Sequence, residues 1–225
     1  MDIHRADSTA STVKATLRPK KGCLERFFLL LALTTPGLVQ AQQWRTASEE
    51  DGIRMETRDV PGERFDELRV STLVALPPET IANYLVGNYL DEKNKNVSRI
   101  FVKRSRELTI WSDVLDTPVI SERCYSMRFE RLQAQADGEI KVRFSSTGYI
   151  GKKPKADCIE LRSRGEWTMA PTGKGTRLSY VSLTDIGGSV PVSLVRRSLS
   201  AAAVMSVRKV AAGAAGLKLP RGIGD

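Results

Sequence analysis

The sequence predicts an α+β fold in which a curved antiparallel β-sheet wraps around one long C-terminal α-helix. Three observations point to it. Apolar residues alternate with polar ones through the middle of the chain, the signature of strands with one buried face. Short turn signals at Pro61-Gly62, Asp137-Gly138 and Pro171–Gly175 separate these runs, which suits hairpins rather than parallel crossovers. A single long stretch near the C-terminus switches to steps of three and four.

The elements follow in order. Residues 1–41 read as an export signal. Lys14, Arg18, Lys20, Lys21 and Arg26 precede an apolar run, Phe27–Leu33, that falls short of the roughly 20 residues a bilayer span needs. Pro36 and Gly37 break the run, and Val39-Gln40-Ala41 offers small residues for cleavage after Ala41. This predicts a periplasmic or secreted protein. Residues 42–212 form the folded domain and 213–225 a flexible tail. Within the domain, Leu68, Val70, Thr72, Val74 and Leu76 share one face of a strand. Residues 77–90 open with Pro77-Pro78 and place Ile81, Tyr84 and Leu85 at helical spacing. Tyr125, Met127 and Phe129 share a strand face, as do Ile140, Val142 and Phe144. Ile159, Leu161, Trp167 and Met169 read as one further strand. From about Pro191 to Ala212, Val192, Val195, Leu199, Ala203, Val207 and Val210 draw a slim apolar stripe on a helix.

Composition excludes several chemistries. The chain of 225 residues holds one histidine, His4, and three cysteines. His4 and Cys23 lie in the leader, so the exported domain has no imidazole and cannot build a Ser-His-Asp or Cys-His nucleophile or a His-ligated metal site. No metal or cofactor is expected. Cys124 and Cys158 remain; in an oxidising compartment they form a candidate disulfide, both on the polar side of their strands. Lys and Arg outnumber Asp and Glu, 35 to 26. Lys152-Lys153-Pro154-Lys155 is a basic loop that could touch an anionic membrane surface transiently, or be merely solvated. No row of base-stacking aromatics accompanies the basic residues, which argues against nucleic acid.

Several pieces, in this order, resemble one family. They are Trp44 with Asp51-Gly52-Ile53; Asp116-Thr117-Pro118 with Ser121-Glu122-Arg123; and Gly165-Glu166-Trp167 with Pro171. The last group is Gly175-Thr176, Tyr180, Asp185, Gly187-Gly188 and Val190-Pro191. Over most of residues 44–210 the chain resembles the START (steroidogenic acute regulatory protein-related lipid-transfer) domain, as a secreted bacterial member. It departs from the family's pattern at Lys93, Cys124, Ile186 and the residue after Leu194-Val195. The resemblance implies a helix-grip fold and a tunnel between sheet and last helix that holds one lipid or other hydrophobic molecule. It also implies a charged pair inside the tunnel, at Arg123 and Glu107, that orients the ligand's polar group.

The residues allow the same reading independently. Ala201, Ala202 and Ala203 leave room beneath the helix, although Tyr125, Met127, Phe129, Leu161 and Trp167 could equally fill it as a dense core. Arg123 shares the inward face of Tyr125, with Glu107 and Asp113 on the neighbouring strand as candidate partners. The candidate ligand-binding residues are Arg123, Glu107, Trp111, Tyr125, Met127, Phe129, Phe144, Leu161, Trp167, Tyr180, Val195 and Leu199. Gly187 and Gly188 form a candidate hinge for the helix. The expected function is that of a monomeric lipid carrier without catalysis. The alternative is a cyclase- or dehydratase-type enzyme on the same scaffold, for which only Glu107, Asp113, Tyr125, Tyr180 and Arg123 offer acids, bases or charges.

Overall fold

A computed structural model describes residues 43–117, 120–151 and 158–218. The leader at 1–41, the Lys152-Lys153-Pro154-Lys155 cluster, Pro118 and the last residues of the tail lie outside the described residues. The elements run β1 (Arg45–Glu50), β2 (Ile53–Arg58), β3 (Glu67–Val74), α1 (Pro78–Val86), a 3₁₀ turn (Asn88–Asp91) and β4 (Val97–Arg104). They continue with β5 (Leu108–Thr117), β6 (Ile120–Arg131), β7 (Ile140–Thr147), β8 (Ile159–Glu160), β9 (Arg162–Thr172), β10 (Gly175–Asp185) and α2 (Val192–Ala214).

The strands join in one sheet in the order β1-β2-β3-β10-β9-β7-β6-β5-β4, every neighbouring pair antiparallel. The alternation read from the sequence sets which face is inside. Val70, Phe129, Val142, Trp167, Met169 and Leu178 are buried in one core, beneath Ala203, Val207 and Val210 of α2. This helix packs on β3, β10 and α1. The result is a sheet that grips a helix.

Two expectations need correction. The helix read over 77–90 is two pieces, because Gly87 leaves helical geometry (φ −106°, ψ −97°) and the chain tightens into the 3₁₀ turn. The strand read over 159–169 also breaks. β8 runs parallel to β6, with Arg123 opposite Ile159 and Cys124 opposite Glu160. It takes the place beside β6 that β7 vacates, since β7 pairs only with Ser126–Arg131. Leu161 then turns the chain into β9 and joins a second small core with Phe65, Ile186 and Val195.

Outside the core, charge pairs across strands hold the sheet. Glu56 of β2 is buried, faces Arg69 of β3 in register and accepts its Nε–H at 2.7 Å. Arg69 and Arg58 lie over the Trp44 ring, 4.4 and 4.5 Å from its centre. The bond from Arg69 holds the Glu56 carboxyl below its ordinary value of 4.5, against the opposing cost of burial. A carboxyl lowered in the folded state stabilises above that ordinary value and loses its contribution as pH falls through the folded one. Glu56→Gln is therefore expected to flatten the acid limb of a urea-stability profile below pH 4.5, and to leave the neutral-to-alkaline shape unchanged.

Candidate functional site

The inner face of the sheet carries a row of three polar side chains placed by strand register. Arg99 of β4 stands opposite Asp113 of β5, which stands opposite Tyr125 of β6. Directly opposed side chains on one face come within about 5 Å at Cβ, so the row brings its groups into contact. Asp113 is 0% exposed. Its Oδ1 accepts Arg99 Nε at 2.8 Å; its Oδ2 accepts Arg99 Nη2 at 2.7 Å, Trp111 Nε1 at 3.0 Å and the Tyr125 hydroxyl at 2.9 Å. Arg99 spends its third nitrogen on the Leu90 carbonyl of the 3₁₀ turn, at 2.9 Å, and lies 4.8 Å from the Trp111 ring centre. A carboxylate removed from water costs several kcal/mol unless so paired.

Around this row the aromatic residues form a chain of rings. Trp111 packs edge-on to Phe129, Phe129 stacks with Phe144, and Phe144 stacks with Tyr180. Trp167 meets both Tyr180, at 4.4 Å between centres, and Tyr89. Gly165 makes room for the Phe144 ring: a Cβ there would stand 2.4 Å from Phe144 Cζ and 2.0 Å from the Val181 carbonyl oxygen.

Tyr89, Tyr125 and Tyr180 belong to the wall of the core yet remain only half-buried. All three phenols are nevertheless pushed above their ordinary value, chiefly by burial. These three side chains are the part of the core's wall that is not fully packed. The Tyr125 hydroxyl is met by Asp113, and Ser206 and Ser182 are polar neighbours of Tyr89 and Tyr180. Leu199 of α2, also half-buried, packs against both cores.

Of the residues expected from the sequence, Trp111, Tyr125, Met127, Phe129, Phe144, Trp167, Tyr180 and Leu199 meet in this wall. Leu161 and Val195 lie in the second core, towards the start of α2. Arg123 and Glu107 do not meet. Arg123 stands opposite Leu115, whereas Glu107 precedes Leu108, which pairs with Glu130. They occupy opposite ends of β5, on the order of 25 Å apart. Glu107 is exposed in the β4–β5 turn. The acid facing the interior is Asp113, and its cation is Arg99. The alternation of β4 is masked by apolar residues on both of its faces, which hid Arg99. Tyr89 was hidden because it sits in the turn after Gly87 rather than on a helix.

Arg123 is 1% exposed and bonds backbone oxygens. Its Nε donates to Ile186 at 2.6 Å, Nη1 to Ser121 and Nη2 to Gly187 at 3.3 Å. Desolvation lowers its pKa. It thus ties β6 to the segment that leads into α2. Arg64 holds the same segment from outside, donating to Gly188 O at 2.7 Å and Val190 O at 2.6 Å. Gly187 and Gly188 have φ of +64° and +67° and lie against β8. A Cβ at Gly187 would meet the Glu160 carbonyl oxygen at 2.7 Å, and one at Gly188 would meet Ile159 Cδ1 at 3.1 Å. Close approach, together with left-handed backbone, requires both glycines here.

Cys124 and Cys158 form a disulfide with Cα atoms 6.0 Å apart. Their side of the sheet is not solvent-facing, as the alternation implied; both cysteines are buried. The chain after β7 crosses over it, where Ser112 Oγ donates to the Ile150 carbonyl at 2.8 Å and Ile150 N donates to Ser126 Oγ at 2.7 Å. The disulfide therefore anchors β8, and β8 carries the two glycines.

With this geometry in place, the chain can be set beside known proteins. No family model matches it, and it has no match among curated proteins. Solved structures do match. The STAR-related lipid transfer protein of Xanthomonas axonopodis is 20% identical, with 76% of this chain and 98% of that one covered and a TM-score of 0.66. Human STARD10 is 16% identical, covering 76% of this chain and 73% of that one, with a TM-score of 0.63. The fold is that of the START domain. Human StAR-related lipid transfer protein 5, at 16% identity and a TM-score of 0.62, covers 76% of this chain and 85% of its own. The START fold thus carries here an interior ion pair at Arg99 and Asp113.

Two outcomes are expected. Asp113→Asn strips the partly buried Arg99 of its counter-charge and should cost about 3 kcal/mol in urea unfolding. Replacing both cysteines by serine should cost about 3 kcal/mol through the freed loop, with faster amide exchange concentrated at 186–190.

Proposed function

We propose that this START-fold chain binds a lipid or other hydrophobic molecule in the space between the concave sheet and α2, and carries it in the periplasm. One observation bears the weight of this reading: Tyr89, Tyr125 and Tyr180 keep accessible surface inside a wall of aromatic and aliphatic side chains. An apolar space with a few convergent polar groups is the ordinary form of a small-molecule site. The neighbours in fold are proteins named for lipid transfer, which supports the same reading. The ligand's apolar body would lie along Phe129, Phe144 and Trp167. Its polar end would reach the Tyr125 oxygen, which donates to Asp113 and still has lone pairs free.

The enzyme alternative finds less support. A general base needs a free, poised acceptor. Asp113 already accepts four hydrogen bonds, and the interior phenols are held protonated by burial. Glu107 and Arg123 are too far apart to act together.

Native mass spectrometry of the chain isolated from the cell envelope tests the proposal. A co-purifying lipid is expected in the wild type. Leu199→Trp fills the space from the helix side and should abolish that adduct while leaving the far-ultraviolet spectrum unchanged. Equal lipid occupancy in the two proteins would refute the interior site.

A further inference from the structure

β4 is an edge of the sheet, and it exposes two large aliphatic side chains, Ile100 at 66% and Val102 at 49%; Phe101 between them, 36% exposed, stands opposite Trp111 on the inner face. Its inner side is engaged elsewhere. Arg99 reaches Asp113, and Arg104 binds Asp91 at 2.6 Å and lies 4.6 Å from the Phe101 ring centre. The register shifts between Phe101 and Lys103, so Val102 is left unpaired as a bulge. A bulge and an edge lysine are devices that block pairing with another strand. They account for Val102's backbone and for Lys103, but not for the two exposed aliphatic side chains of Ile100 and Val102.

Basic residues flank Ile100 and Val102 along the same edge. Lys93 and Lys95 precede β4, and Lys103 follows the bulge; all three are exposed. Among the described residues no ion pair engages them, whereas the nearby acids Asp91 and Glu92 are paired with Arg104 and Lys209. Apolar side chains bracketed by unpaired lysines complement a surface that is anionic outside and greasy just beneath. Among the described residues no helix is long and apolar enough to cross a membrane, so such contact would be peripheral.

We infer that the β4 edge, through Ile100 and Val102 with Lys93, Lys95 and Lys103, is a docking surface for an anionic phospholipid bilayer. It differs from the basic loop at Lys152–Lys155, and it does not depend on what the interior binds. An edge-to-edge second copy fits less well, because the bulge interrupts the ladder such a dimer would extend.

Vesicle co-sedimentation of the chain as purified tests this, using phosphatidylcholine vesicles with and without phosphatidylglycerol. Wild type should bind the anionic vesicles and release at high salt. Ile100→Ser with Val102→Ser should weaken binding at least about tenfold, since two exposed aliphatic groups lose their insertion. Lys95→Gln and Lys103→Gln should weaken it about fivefold each. These exposed substitutions leave the core untouched, and lipid retained in native mass spectra reports the interior separately. Unchanged vesicle affinity in the serine variant overturns the docking surface, as does equal binding to neutral vesicles. Light scattering that finds a wild-type dimer dissociated by the serine variant, with vesicle binding intact, assigns the edge to a second copy instead and equally overturns it.

Discussion

Asp113 sits where no water reaches it, and the arrangement of the interior follows from keeping a carboxylate there. Four donors from three neighbouring side chains converge on its two oxygens. Each donor fixes something larger. Arg99 fastens the edge strand β4 to the sheet and, through Leu90, to the turn after α1. Trp111 is held in the orientation in which it meets Phe129. Tyr125 is held by its hydroxyl against the same carboxylate. A single acidic residue thus coordinates strand, turn and aromatic wall. Removing it leaves a guanidinium with nothing to balance it, which explains why its loss should cost more than a typical surface pair.

Much of this was legible in the sequence because it depends on period alone. The parity of Tyr125, Met127 and Phe129, and of Val142 and Phe144, assigned the inner face before any contact was known. The slim stripe of Val195, Leu199, Ala203, Val207 and Val210 foretold a helix lying on a sheet. What alternation cannot give is distance along a strand. Arg123 and Glu107 had compatible faces, yet register set them at opposite ends of β5. The parallel graft of β8 onto β6 was illegible for a related reason. Nothing in Ile159-Glu160-Leu161 marks where a run of alternating residues changes partner. Cys124 and Cys158 had matching parity, and here β8 supplied the proximity that parity could not.

The two ends of the sheet's inner face are built on different principles. At the Arg99 end, opposite charges neutralise each other in the interior. At the Arg123 end, a buried guanidinium is satisfied by the backbone oxygens of Ser121, Ile186 and Gly187, so its bonds restrain main chain rather than side chain. With Arg64 outside and the disulfide-anchored β8 beneath, the approach to α2 is held on three sides. Any movement of the helix that begins at Gly187 and Gly188 must first release these contacts. That makes the segment a fastened joint, whose loosening is tied to Arg64, the one of the two arginines that water reaches.

The covering rod is also made after everything it covers. Every surface that α2 rests upon, in β3, β10 and α1, is synthesised before Val192 emerges. Until then a nascent molecule presents an uncovered bowl of tryptophan, phenylalanine and methionine to its surroundings. The helix α2 therefore decides between a covered core and a sticky one, and a chain that stops before Val192 should clump rather than be merely shortened.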